Sequence, residues 1–242
     1  MILREELLRE IKANIEQHGH HVTIVTGGQI PRFAYTIGCL EILGSEFIFA
    51  GGEYYSKFDV SKIINEIIAF AEEKSEWHNQ SISVDSLGDF SIVRTDKSWS
   101  ELLTLGVFDY YNQTEIQVWQ ILPDDNHRTL DVPDMSQAFE VVSQPIWQWL
   151  SRKWDYPVPS DSMSVTDLGV LFGEKATEVT RWEKDEWEIF SGAGPDTPKD
   201  VMRVVPLSLL LGIDKSLERV VYLEIGKGLW RDAVELKWND WE

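Results

Sequence analysis

Val22-Thr-Ile-Val25, Phe33-Ala-Tyr-Thr-Ile37 and Phe47-Ile-Phe-Ala50 are three runs of β-branched and aromatic residues separated by glycines. Such runs read as strands, and Gly27-Gly28 is the turn that folds the first back on the second. The third, bounded by Gly44 and Gly51-Gly52, is apolar throughout, as a well-buried strand is. On either side the hydrophobic period lengthens from two to that of a helix. Upstream, Leu3, Leu7, Leu8, Ile11 and Ile15 predict an amphipathic helix over 3–17, with Glu5 and Glu6 in its first turn and Gly19 past its end. Downstream, Asp59 reads as the cap of a helix whose Val60, Ile63, Ile64, Ile67, Ile68 and Ala71 form one stripe. Strands are expected at 81–84 and 90–94, joined at Gly88, then a short helix at 98–105 and an alternating strand at 115–122. Without a regular βαβ rhythm, this pattern predicts an α+β fold in which a mainly antiparallel sheet packs with helices.

From Asp134, read as an N-cap, the pattern turns helical until Pro145 interrupts it. Asp155-Tyr-Pro-Val-Pro-Ser-Asp-Ser162 reads as an exposed linker. Short β-like pieces follow at 165–172, 178–182 and 187–190. A loop from Ser191 to Pro198, a helical stretch at 206–211 and a turn through Asp214 come next. The expected division is an α+β domain over 1–154 and a smaller β-rich α+β module over 163–242. Composition supports two modules: of the eleven Trp, the eight from Trp147 onward are crowded into the last part of the chain.

Lys plus Arg is 22 and Asp plus Glu 41, so the net charge is 22 − 41 = −19. That charge repels phosphate, which argues against nucleic acid and anionic membrane and for a basic protein partner. Cys39 is the single cysteine, so a reducing compartment is expected. The first ten residues alternate charged with apolar and hold no signal core, and the richest apolar stretch, 204–213, is far short of the roughly 20 residues of a membrane helix. A soluble, cytoplasmic protein is the expectation.

Several constellations invite chemistry. His18-Gly-His-His21 clusters imidazoles, but a metal needs three or four ligands, and His78 and His127 are isolated in sequence, so no metal or cofactor is expected. Cys39 with His20 or His21 would make a nucleophile and base; its place at a strand terminus favours a buried small side chain instead. Gly192-Ala-Gly194 and Gly226-Lys-Gly228 lack the remaining positions of a phosphate loop and read as turns. Carboxylate pairs such as Asp124-Asp125 fit a solvated acidic face. Arg181-Trp-Glu-Lys-Asp-Glu-Trp-Glu188 and Leu236-Lys-Trp-Asn-Asp-Trp-Glu242 put Trp beside carboxylates. Buried core is the commoner reading of such Trp; the other is an acidic interface with Trp anchors, formed by Trp182, Asp185, Glu186, Trp187, Glu188 and Trp230.

His18-Gly-His-His-Val22, Phe33-Ala-Tyr-Thr-Ile-Gly38 and Gln117-Val-Trp-Gln-Ile-Leu-Pro-Asp124 together resemble the bacterial domain-of-unknown-function family 4262 over about residues 10–130. Its motif falls on His18, Gly19, Phe33, Tyr35, Thr36 and Gly38. The chain departs from the pattern at His20, at Cys39 and at Gly44-Ser-Glu46, and the resemblance names no activity. More weakly, Asp185-Glu-Trp-Glu-Ile-Phe-Ser-Gly192, Leu207-Ser-Leu-Leu-Leu-Gly-Ile-Asp-Lys-Ser-Leu217 and Gly226-Lys-Gly-Leu-Trp-Arg231 look like the bacterial immunity-protein family 33. That resemblance implies a non-catalytic protein that binds and neutralises a toxin. The alternative expectation is an enzyme acting on a small polar substrate in a pocket near His20, His21, Tyr35 and Cys39.

Overall fold

The computed structural model describes residues 4–74 and 76–241; Leu3, at the start of the expected first helix, lies outside them. Helix α1 (Arg4–His18) ends where Gly19, at φ +82°, donates its N–H to the Ile15 carbonyl at 2.8 Å. Strands β1 (His21–Val25) and β2 (Phe33–Ile37) pair antiparallel with His21 opposite Ile37. A single turn, α2 (Leu40–Leu43), leads to β3 (Glu46–Ala50), antiparallel to β2. Every residue of β2 and β3 is buried, because both faces of the sheet are covered.

Helix α3 (Lys57–Glu73) buries the expected stripe, but its cap is Ser56 rather than Asp59. Asp59 is the third helical residue; the Ser56 hydroxyl accepts its N–H, and its carboxylate takes the Ser56 N–H in return. The stripe lies over Phe47, Phe49, Ile82, Phe90 and Ile121 on one face of the sheet. Strands β4 (Ile82–Val84) and β5 (Gly88–Arg94) precede two short helices, α4 (Lys97–Leu103) and α5 (Leu105–Tyr111). Strand β6 (Val118–Pro123) then inserts parallel to β3 and antiparallel to β5. The order is β1-β2-β3-β6-β5-β4.

No helix forms between Asp134 and Pro145. Its carboxylate instead accepts the Ser136 N–H and hydroxyl, closing a local turn. The side chain of Gln120, buried in β6, bonds the Pro133 carbonyl and the Met135 N–H. The Met135 carbonyl accepts the Asp96 N–H at 2.7 Å and the Phe139 N–H donates to the Ser98 hydroxyl at 2.8 Å, so two groups that a helix would pair with each other are engaged elsewhere. The segment 155–162 is not uniformly exposed. Val158 and Ser162 are buried, and the Trp154 indole N–H holds the Val158 carbonyl at 2.7 Å.

A second six-stranded sheet holds β7 (Met163–Asp167), β8 (Glu178–Arg181), β9 (Glu186–Phe190), β10 (Met202–Pro206), β11 (Lys227–Trp230) and β12 (Asn239–Asp240), in the order β10-β7-β9-β8-β11-β12. Only the β7–β9 pair is parallel. β7 stops short of the expected 172 because Asp167 caps a turn of helix, α6 (Leu168–Leu171), by accepting the Val170 N–H at 3.0 Å. The apolar block after β10 forms α7 (Leu207–Ile213), nearly all of it buried. Two mixed sheets packed with helices make the fold α+β.

The face of the first sheet turned away from α3 presents Phe33, Tyr35, Ile37, Ile48 and Val118. These belong to one hydrophobic cluster with Trp99 and Trp147 and with Val170, Trp187, Ile189 and Leu210 of the second half. Polar ties reinforce it. The Trp149 indole donates to the Ser208 carbonyl, and Arg203 of β10 donates to the carbonyls of Glu53 and Tyr54. Among the described residues no helix is long and apolar enough to cross a membrane.

Candidate functional site

The glycine that ends α1 delivers His20 and His21 into a cleft of about 590 Å³ shared with Glu10, Asn14, His18 and Asn65. His20 Nε2 donates to Asn65 Oδ1 of α3 at 2.8 Å, and Asn14 Nδ2 donates to His21 Nδ1 at 2.9 Å. Burial depresses the His21 pKa below its ordinary value, against the opposing pull of Glu10. Among the described residues no three His, Cys, Asp or Glu are grouped to hold a metal ion. Tyr35 and Cys39 lie elsewhere. Tyr35 faces the shared cluster beside Phe33, whereas Cys39 lies on the opposite side, beneath α3. The four residues of the enzyme alternative therefore do not line one cavity.

The Phe33–Gly38 motif serves a buried carboxylate. Glu46 is completely buried, and its carboxylate accepts the Thr36 hydroxyl, the N–H groups of Gly38 and Leu40 at 2.9 and 3.0 Å, and the Tyr111 hydroxyl at 2.7 Å. Four donors on one carboxylate offset its desolvation. Gly38 is required by space as well as by φ +116°: a Cβ there would lie 3.0 Å from the Gly19 carbonyl oxygen and from Ile15. Burial, with the Glu46 charge beside it, pushes the Cys39 thiol far up from its ordinary value, which withholds the thiolate a nucleophile needs.

In the second sheet, alternation sorts the expected partner-binding residues. Arg181 opposes Trp187, Thr180 opposes both Glu188 and Gly228, and Glu178 opposes Trp230. Since side chains alternate along a strand, Glu186, Glu188 and Trp230 share the outer face, and Trp182 follows β8 on that side. Trp182 and Trp230 are 54% and 43% exposed. Trp241 joins them by packing over Gly228 and is 44% exposed. Asp185 sits in the exposed β8–β9 turn. Trp187 points the other way, 1% exposed, with the Arg181 guanidinium 5.0 Å from its ring. It is core, and no partner reaches it.

The residues that carry the second resemblance also meet inside the fold. Arg231 donates to Asp214 at 2.9 Å, to the Ser216 hydroxyl at 2.7 Å and to the Ala176 carbonyl, and it lies 4.1 Å from the Trp238 ring centre. Although burial opposes it, the bonds from Ser216 and Arg231 hold the Asp214 carboxyl below its ordinary value. Asp214 and Arg231 are thus a structural ion pair joining α7's end to the residue after β11.

No curated protein and no solved structure matches the chain. Residues 14–130, which hold all six strands of the first sheet together with the Glu46 clasp and the histidine cleft apart from Glu10, match the model of the family described as Domain of unknown function (DUF4262).

Proposed function

We propose that the protein acts by binding rather than by catalysis, with a basic protein partner seated on the outer face of the second sheet. The observation that carries this reading is the convergence of half-exposed Trp182 and Trp230 with Glu186 and Glu188 on one sheet face of a chain with net charge −19. Half-exposed indoles are ready to be desolvated by a partner, and surrounding carboxylates set its charge. Neutralisation of a bacterial toxin is the form of binding suggested by the likeness of 163–242 to an immunity-protein family.

The test is kinetic. Association with a basic toxin domain should slow steeply as salt rises, because the steering field is screened over about 8 Å at physiological ionic strength. Dissociation should change little with salt. Replacing Asp185, Glu186 and Glu188 with Asn, Gln and Gln should reproduce the effect of high salt. Trp182→Ala with Trp230→Ala should speed dissociation at least tenfold, as expected for anchors worth about 2 kcal/mol, with unchanged circular dichroism. Salt-independent association, or a double Trp variant that dissociates like the parent, would end this reading.

A further inference from the structure

A cavity of about 440 Å³ lies between the two halves, walled by Thr26, Arg32, Glu53 and Lys57 on one side and by Met163 and Pro206 on the other. It is separate from the outer sheet face with its exposed tryptophans. Two of its walls are charged groups taken out of water: the side chains of Arg32 and Glu53 are 8% and 9% exposed. Burying a guanidinium is costly unless its N–H groups find acceptors. Among the described residues only Nη2 does, donating to the carbonyls of Gly52 and Tyr55 at 2.9 and 2.8 Å and standing 3.5 Å from Glu53 Oε2. The Arg32 Nε is buried with no acceptor.

Behind Glu53, Asp131 is fully buried; its Oδ2 accepts the Glu53 N–H at 3.1 Å, and its Oδ1 has no partner. Arg203 packs on the same wall through the Glu53 carbonyl, and Lys57 reaches the Thr26 hydroxyl at 3.4 Å. The cavity's lining therefore holds two cations, Arg32 and Lys57, against one carboxylate, Glu53, in a chain that is otherwise strongly acidic. A group that would complete this balance is an anion.

We propose that the cavity binds a small molecule through an oxoanion group, with Arg32 and Lys57 supplying the charge and Met163 and Pro206 covering its apolar part. An oxoanion presents several acceptors to guanidinium and ammonium donors. Burial, with the Asp131 charge adding to it, pushes the Glu53 carboxyl well above its ordinary value despite Arg32. Burial raises Asp131 as well. As the pH falls Glu53 therefore stops competing for Arg32, and anion binding is linked to proton uptake.

Isothermal titration of the full chain with sodium sulfate and, separately, sodium acetate tests this, with ionic strength held constant by chloride. Neither anion titrates between pH 6 and pH 8, so any change reports the protein. Saturable binding of one or both in the range of roughly 10 mM or tighter is expected, and the tighter of the two identifies the kind of oxoanion preferred. Affinity should be higher at pH 6 than at pH 8, because Glu53 is more fully protonated at the lower pH. Lys57→Gln, a change at an exposed side chain, should weaken binding about tenfold or more, and Glu53→Gln should bind with a smaller pH dependence than the parent. No saturable binding of either anion, tighter binding at pH 8, or an unchanged affinity in Lys57→Gln would overturn the proposal.

Discussion

Glu46 sets the terms at the scale of single residues. A carboxylate with no exposure survives only because Thr36, Gly38, Leu40 and Tyr111 all donate to it. Removing one donor leaves part of that desolvation unopposed, at a cost of roughly 1–3 kcal/mol. Tyr111→Phe should therefore lower the unfolding free energy by that amount in urea denaturation, with the fold retained. A loss below about 0.5 kcal/mol would mean that the other three donors hold the carboxylate alone. Thr36 and Gly38 are visible in the sequence as a motif, but their purpose is not. Glu46 and Tyr111 are 65 positions apart, and no local pattern joins them.

Secondary-structure elements followed periodicity closely wherever one face is apolar. The stripe on α3 was plain because an isoleucine-rich face recurs at helical spacing, and only the cap shifted, from Asp59 to Ser56. Strand alternation decides the second sheet, separating Trp187 from Trp182 across a few residues. β12 is two residues long and is supported by Trp241 lying over Gly228, where an added Cβ would come 2.5 Å from the indole ring. Gly228→Ala should therefore dislodge Trp241, redden the protein's Trp emission and speed amide exchange at Leu229 and Trp230. Because the ring lies at an exposed edge, the stability loss should stay near 1 kcal/mol. Unchanged emission and exchange would show that Trp241 does not hold that edge.

Over the whole molecule, each half contributes one sheet, yet Tyr35, Trp99 and Trp147 share a hydrophobic cluster with Val170, Trp187 and Leu210. A core held in common makes unfolding of one half expose apolar surface of the other. Urea unfolding monitored by far-UV circular dichroism and by Trp fluorescence should accordingly follow one coincident transition. Two separated transitions would mean that the halves are energetically independent. The segment 155–162 connects them without being a free tether, since Val158 and Ser162 are buried in it.

The sequence by itself determined the acidic charge, the α+β class, the helical stripes and most strands of the first sheet. Each depends on composition or on a period of two to four residues, and so is written locally. Tertiary structure alone decided that β6 runs between β3 and β5, that the stretch after Asp134 is held by Asp96 and Ser98 instead of coiling, and that Tyr35 and Cys39 face opposite sides of a sheet from one another. It also decided that Arg32, Glu53 and Asp131 meet behind a wall supplied by Met163 and Pro206. These outcomes depend on backbone and side-chain groups far apart in the chain competing for the same hydrogen bonds and the same buried volume, and that competition is settled only when both halves close on one core.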